Sequence, residues 1–187
     1  MASVVLFHSV LGLRQVEREA ADRLRAAGHT VCLPDLFGGA RTDNLDEGFA
    51  IKARIGWDTI RSRAMEAAQA LPEDAVLAGV SMGAGVVAEI WPCRPKTAAV
   101  LLLHGLADVP QTARQGTPVQ VHVSAADEFF PLSEVRDWQS VAQNAGLSVE
   151  VFTYKRAGHY FIDRTLLDYD GAACAALWSR ILKFLDR

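Results

Sequence analysis

Cysteine is scarce in this sequence. Cys32, Cys93 and Cys174 are the only three in 187 residues, and no two of them form a C-x-x-C pair. An odd number at wide spacing excludes a disulfide framework and reads as buried thiols of a reduced compartment. Excess charge of either sign is missing too. A net charge of −3 and a pI near 5.9, with no basic stripe to neutralise phosphates, argue against a nucleic-acid partner. No apolar run reaches the length of a membrane span. The longest candidate, residues 4–13, is interrupted by His8, Ser9 and Gly12 and lacks a basic lead and an Ala-x-Ala site. It reads as a strand and its loop, not a signal peptide. A cytoplasmic protein with no membrane partner is the expectation. Neither G-x-x-x-x-G-K-[ST] nor G-x-G-x-x-G occurs, and there is no H-E-x-x-H or cluster of His and Cys. No nucleotide, metal or other cofactor is therefore expected.

What is present is apolar sequence in short, regular pieces. Half of the residues are hydrophobic and 22% are charged, enough for one domain over residues 1–187 with a substantial core. Continuous apolar runs predict strands at 3–8, 30–33, 75–80 and 98–104, with further strands at 119–124 and 148–154. The last alternates Val149, Val151 and Thr153 against Glu150, which suits a sheet edge. Helical spacing appears between them. Val16, Ala20, Leu24 and Ala27 share a face ahead of Gly28. Trp57, Ile60, Ala64, Ala68 and Leu71 share another ahead of Pro72. Leu132, Val135, Trp138 and Val141 precede Gly146, and Leu177, Ile181, Phe184 and Leu185 close the chain. Residues 35 to about 46 read as an irregular excursion, and nothing up to about Gly56 is long enough to form a separate cap domain. Alternation of strand and helix predicts an α/β fold, a mostly parallel six-stranded sheet with helices on both faces. Ligands of such sheets bind outside the carboxyl ends of the strands.

The stretch Val76-Leu77-Ala78-Gly79-Val80-Ser81-Met82-Gly83-Ala84-Gly85 carries the chemistry. An apolar strand runs into Gly79-x-Ser81-x-Gly83 and then into a helix of small residues, the pattern of a nucleophile elbow. Roughly one chain in twenty of this length would show G-x-S-x-G by chance, so the flanking strand and helix matter. In an elbow the serine is held in a strained turn with its hydroxyl clear of the sheet, and its neighbours two places away must be glycine. A serine needs a base. Of five histidines, His159 alone lies in a loop after the last strand, in Arg156-Ala157-Gly158-His159-Tyr160-Phe161. His122 and His29 read as structural, while His8 and His104 end strands and line a pocket or pack. The base needs an acid, for which Asp127, after the fifth strand, is preferred to Asp108, after the fourth. The order Ser81, Asp127, His159 is that of the α/β-hydrolases. Backbone N–H groups of Met82 and Val10 are the candidate oxyanion donors.

On these residues the chain resembles the dienelactone hydrolase-like α/β-hydrolases over nearly its whole length. The resemblance rests on Val4-Val5-Leu6-Phe7 with Gly12-Leu13, Ala21-Asp22-Arg23-Leu24, Pro34-Asp35-Leu36-Phe37-Gly38, the elbow, Ala126-Asp127 and Gly158-His159-Tyr160-Phe161. It implies a triad of Ser81, Asp127 and His159. It also implies departures: Ser81 stands where dienelactone hydrolases proper have cysteine, and Ser9 stands where they have an acidic residue. The chain starts at what would be the family's third strand, without two antiparallel edge strands.

The function expected is hydrolysis of a small ester, thioester or lactone through an acyl-enzyme. Acyl transfer to another acceptor and a non-catalytic binding role on the same scaffold are the alternatives. Ser9, Phe37, Arg41, Trp57 and Tyr160 are the candidate pocket residues, with Arg41, Arg54 or Arg156 available to a substrate carboxylate. A shallow pocket for acetyl to butyryl groups is the expectation.

Overall fold

The computed structural model describes residues 1–187. Six strands, β1 (Ser3–Phe7), β2 (Thr30–Cys32), β3 (Val76–Val80), β4 (Val100–Leu103), β5 (Pro118–Ser124) and β6 (Ser148–Tyr154), form one sheet in the order β2-β1-β3-β4-β5-β6. Every pairing is parallel, as crossovers between sequential strands require. The most apolar strands, β3 and β4, sit in the middle, and β6 lies at an edge as its alternation predicts.

Successive side chains of a strand point to opposite faces, so a continuous apolar run feeds two cores. Val5, Phe7, Leu77, Leu102 and Val121 pack under α3 (Trp57–Gln69), α4 (Met82–Ile90) and α5 (Leu132–Asn144). Val4, Leu6, Ala78, Leu101 and Leu103 pack under α1 (Gln15–Ala26) and α6 (Gly171–Leu185). The crossover from β4 to β5 is the exception among the connections: it contains no helix and runs along the first face, where the Trp138 indole N–H donates to the Ala107 carbonyl at 2.7 Å.

Three sequence expectations need correction. The excursion after β2 contains a helix, α2 (Leu45–Ile55). Asn44 caps it by accepting from the Glu47 N–H at 3.0 Å, and Gly56, at φ +83°, ends it. Its pattern is hard to read because Phe49 is exposed and the inner face is built on Gly48 and Ile51. Gly48 is there for space: a Cβ would lie 2.7 Å from the Val10 carbonyl oxygen. On α5 the inner stripe is Val135, Trp138 and Ala142, its ends seven positions apart, and Val141 falls off it into solvent. Of the thiols only Cys174 is buried, Cys32 is partly covered and Cys93 is exposed.

The tightest packing lies where α4 meets the sheet. A Cβ on Gly79 would stand 2.2 Å from the Gly83 carbonyl oxygen, and one on Gly83 would stand 2.2 Å from that of Phe7. Gly85, two residues on and facing the other way, meets only the rim of Trp57 at 3.8 Å. Gly83→Ala should therefore lower the free energy of urea unfolding by about 2–3 kcal/mol, the usual cost of overpacking. Gly85→Ala should raise it by about 0.5–1 kcal/mol through helix propensity alone. Equal effects of the two substitutions would contradict this account of the contact.

Candidate active site

The backbone at the carboxyl end of β3 turns sharply. Ser81 adopts φ +52° and ψ −111°, a conformation costly for any residue with a side chain. Its N–H is fixed by the Leu103 carbonyl of β4 at 2.7 Å, and α4 begins at the next residue. The hydroxyl is thereby presented above the sheet. Two further loops converge on it, from the ends of β5 and β6.

Ser81 Oγ lies 2.9 Å from His159 Nε2, and His159 Nδ1 lies 2.6 Å from Asp127 Oδ2. The other carboxylate oxygen of Asp127 accepts from the N–H groups of Phe129 at 2.9 Å and Phe130 at 3.3 Å. Burial pushes the Asp127 carboxyl up. The hydrogen bond and charge attraction of His159, with the two backbone donors, outweigh that and hold it below its ordinary value. An ionised carboxylate only accepts, so Nδ1 carries the imidazole proton and Nε2 accepts from the Ser81 hydroxyl. The loops that carry Asp127 and His159 are tied together: the Ser124 hydroxyl donates to the Ala157 carbonyl and accepts from the Ala126 N–H at 3.0 Å. Phe129 and Phe130 flank the imidazole, with ring centroids at 4.9 and 6.3 Å.

The rival groups are placed elsewhere. Asp108 is exposed and has no contact with His159. His8 is buried with both nitrogens engaged: Nδ1 bonds the Ser9 carbonyl at 2.7 Å and Nε2 accepts from the Leu36 N–H at 3.0 Å. His122 bonds Tyr154 and Gln120, and burial drives its pKa down to about 3. His29 accepts from the Ala2 N–H at 3.2 Å. His104 is fully buried against Phe161, neither ring nitrogen has a partner, and burial followed by the nearby His159 holds its pKa well below the usual range.

A cavity of about 280 Å³ opens beside Ser81. Trp57 and Tyr160 line it, together with Val10, Leu45, Phe49, Met82, Leu106, Phe129 and Phe130. Lys52 is its one charged side chain and lies 5.0 Å from the centre of the Trp57 ring. Three expected pocket residues are not there. Ser9 is buried and gives its hydroxyl to Glu17 at 3.1 Å; Phe37 is in the core, edge-on to His8. Arg41 pairs with Gly12 through the backbone and faces a separate cleft beside Arg14 and Arg18. Arg54 and Arg156 do not line the cavity either. Nothing in the sequence order joined Lys52, Phe129 and Phe130 to Ser81, because they meet only across the fold.

Sequence reasoning also missed Glu17. It is 1% exposed on α1, and its carboxylate accepts from the Ser9 N–H at 3.4 Å, the Ser9 hydroxyl and the Arg14 N–H at 3.0 Å. Burial pushes its carboxyl up, opposed by those donors. Around it the loop after β1 is pinned, with the Leu11 N–H on Ser9 Oγ and the Gly12 N–H on the Ser9 carbonyl. The Val10 N–H has no partner and borders the cavity. The Met82 N–H, first in α4, has none within its own helix. The one signal for Glu17 was a charged residue on the apolar stripe of a helix.

No three His, Cys, Asp or Glu side chains are grouped to hold a metal ion, and no helix is long and apolar enough to cross a membrane. The model of the dienelactone hydrolase family matches residues 1–187. The chain belongs to the dienelactone hydrolase family. It is accordingly an α/β-hydrolase of the carboxylic ester hydrolase type. The promiscuous, dienelactone hydrolase-like phosphotriesterase P91 from metagenomic libraries has a similar fold, with a TM-score of 0.80 at 20% identity, covering 100% of this chain and 86% of that one. The structure named m3DLH is similar with a TM-score of 0.78 at 21% identity, over 99% and 85%. The thioesterase domain of the curacin biosynthetic pathway follows at 0.66 and 15%, over 97% and 90%. No curated protein matches this family member.

The depressed Asp127 carboxyl has a measurable sign. Its pKa is lower folded than the unfolded value of about 3.9, so it contributes stability above that value and loses it as pH falls through the folded one. The difference in urea unfolding free energy between wild type and Asp127→Asn should therefore shrink from pH 5 to pH 3. A difference that is constant or grows in acid would contradict the assignment.

Proposed function

We propose that this chain is a serine hydrolase that cleaves small esters, thioesters or lactones through an acyl-enzyme, with residues 1–187 as one catalytic unit and no separate cap domain. The observation that carries the reading is the unbroken chain of hydrogen bonds from Ser81 through His159 to Asp127 at the mouth of the cavity.

In this mechanism Ser81 Oγ attacks the carbonyl carbon as its proton passes to His159 Nε2. Negative charge develops on the former carbonyl oxygen and is met by the N–H groups of Met82 and Val10, reinforced by the amino end of α4. Asp127 steadies the imidazolium without taking its proton. His159 then protonates the leaving oxygen or sulfur, which departs, or in a lactone stays as a hydroxyl on the opened chain, and Ser81 is left acylated. A water enters and loses a proton to His159 as its oxygen attacks the acyl carbon. Collapse of the second tetrahedral intermediate returns the proton to Ser81 Oγ and releases the acid.

The apolar cavity supports a small acyl group or ring as substrate. At about 280 Å³ it lies at the lower end of the range for small-molecule sites. A methylene that fits inside gains about 0.8 kcal/mol, and one that projects beyond it gains nothing. In a p-nitrophenyl ester series kcat/KM should rise from acetyl to butyryl and gain nothing further for octanoyl and longer. A steady rise from C4 to C10 would require a buried channel and defeat the small-acyl reading.

A fluorophosphonate should label the wild type on Ser81 and leave Ser81→Ala unlabelled, as located by mass spectrometry. Asp127→Asn should lower kcat by about 10⁴-fold, whereas Asp108→Asn should leave it unchanged. The reverse ranking of the two aspartates would remove Asp127 from the mechanism.

A further inference from the structure

Tyr160 follows the base in sequence, but its ring stands edge-on to that of His159, at 83° and 4.4 Å between centroids. The ring packs instead against Val10 and Leu11, with Met82 beside them. It is therefore wedged against the two backbone segments whose N–H groups border the nucleophile. Its hydroxyl lies 3.3 Å from Ser81 Oγ.

The direction of that contact follows from the triad. The Ser81 proton is directed to His159 Nε2, so Oγ has only lone pairs left to offer, and the Tyr160 hydroxyl is the donor. Oγ is a good acceptor only before it attacks. Once bonded to carbon it is an ester-type oxygen, and the full negative charge sits on the neighbouring oxygen of the same carbon. A donor poised beside Oγ, on the side of Val10 and Met82, meets that charge by a small rotation about the phenolic C–O bond.

We propose that the Tyr160 hydroxyl is a third, side-chain donor to the tetrahedral oxyanion, acting with the backbone N–H groups of Met82 and Val10. The inference rests on the serine-nucleophile reading above.

Two further observations suit the role. The donor is always present, because burial, the largest influence on the phenol, pushes its pKa up to about 12. It is also held in place before substrate arrives. The Tyr160 N–H donates to Asp168 at 2.9 Å and its carbonyl accepts from the Asp163 N–H at 2.9 Å, while Asp163 is clamped by Arg14 at 2.6 Å. Asp168 reaches the Tyr160 N–H because Gly158 has no side chain; a Cβ there would lie 2.4 Å from the Asp168 carboxyl carbon. Donors fixed in advance are what make an oxyanion site effective.

The test is Tyr160→Phe, which keeps the ring and removes only the donor. Loss of one oxyanion donor lowers kcat by about 10²–10³-fold, so kcat should fall about 10²-fold with KM within about twofold. A trifluoromethyl ketone, which adds Ser81 and forms an oxyanion, should bind the variant weaker by the same factor. The matching methylene analogue, which has no carbonyl, should bind both proteins equally. A kcat within about threefold of wild type, or a fall in kcat without the parallel loss of ketone affinity, would overturn the inference. Replacement of Tyr160 by 3,5-difluorotyrosine keeps the hydroxyl but acidifies it, and should introduce an alkaline fall in kcat that the wild type lacks; its absence would also overturn it. Fluorophosphonate labelling separates the two readings. Wild type that is not labelled on Ser81 defeats the nucleophile assignment itself, whereas labelled Ser81 with unchanged kcat in Tyr160→Phe defeats only the role of the phenol.

Discussion

The contact on which the site depends is backbone against backbone: α4 resting directly on β1 and β3 with no side chain between. Gly83 sits against the Phe7 carbonyl and Gly79 against the Gly83 carbonyl. Any spacer at either position would lift the helix away. Because the helix starts so close to the strand it follows, the one residue between them has to turn with a positive φ. That turn points Ser81 outward and aims the unpaired N–H groups of α4 at the same space. The outward serine hydroxyl and the free N–H groups beside it thus come from one steric requirement.

The other groups arrive because parallel strands all end on the same side. β3, β5 and β6 deliver Ser81, Asp127 and His159 from three loops, each short enough to be tied to another. Ser124 links the acid loop to the base loop, and Arg14 links the base loop to the start of α1 through Asp163. Glu17 gathers the loop after β1 around one buried carboxylate. Burying a carboxylate is costly unless its hydrogen bonds are made, and here three donors make them. What they leave over is the free Val10 N–H beside the cavity.

Most of this frame was legible from residue order. The elbow announces itself because only glycine fits the approach of α4, and the order of Ser81, Asp127 and His159 follows the order of the strand ends. The central strands were visible as apolar runs buried on both faces, and the edge strand β6 by its alternation. Less visible were features that depend on contacts between distant segments. The α2 helix hides because its inner face uses Gly48, chosen for nearness to Val10 and not for hydrophobicity. Arg41 sits close to the pocket-forming excursion in sequence, yet its bridge to Gly12 turns it to a different cleft. Phe129 and Phe130 reach the site because their own N–H groups bind Asp127, a local turn that residue types do not specify. Glu17 looked like an ordinary helix charge until the loop closed over it.

One division in the molecule bears on how relatives of this chain can diverge. Leu45, Phe49 and Lys52 of α2 wall the cavity, while the hydrogen-bonded Ser81, His159 and Asp127 come from the ends of β3, β6 and β5. Phe49 is exposed and Lys52 only partly covered, so they can change size or charge with little effect on folding. Gly48, just before Phe49 on the same helix, cannot gain a side chain without displacing Val10. A change in what the cavity admits therefore has an open set of positions and a closed one close together on one helix. Variation among natural relatives should gather at Phe49 and Lys52 and stop at Gly48, where the backbone of the loop after β1 leaves no room for a side chain.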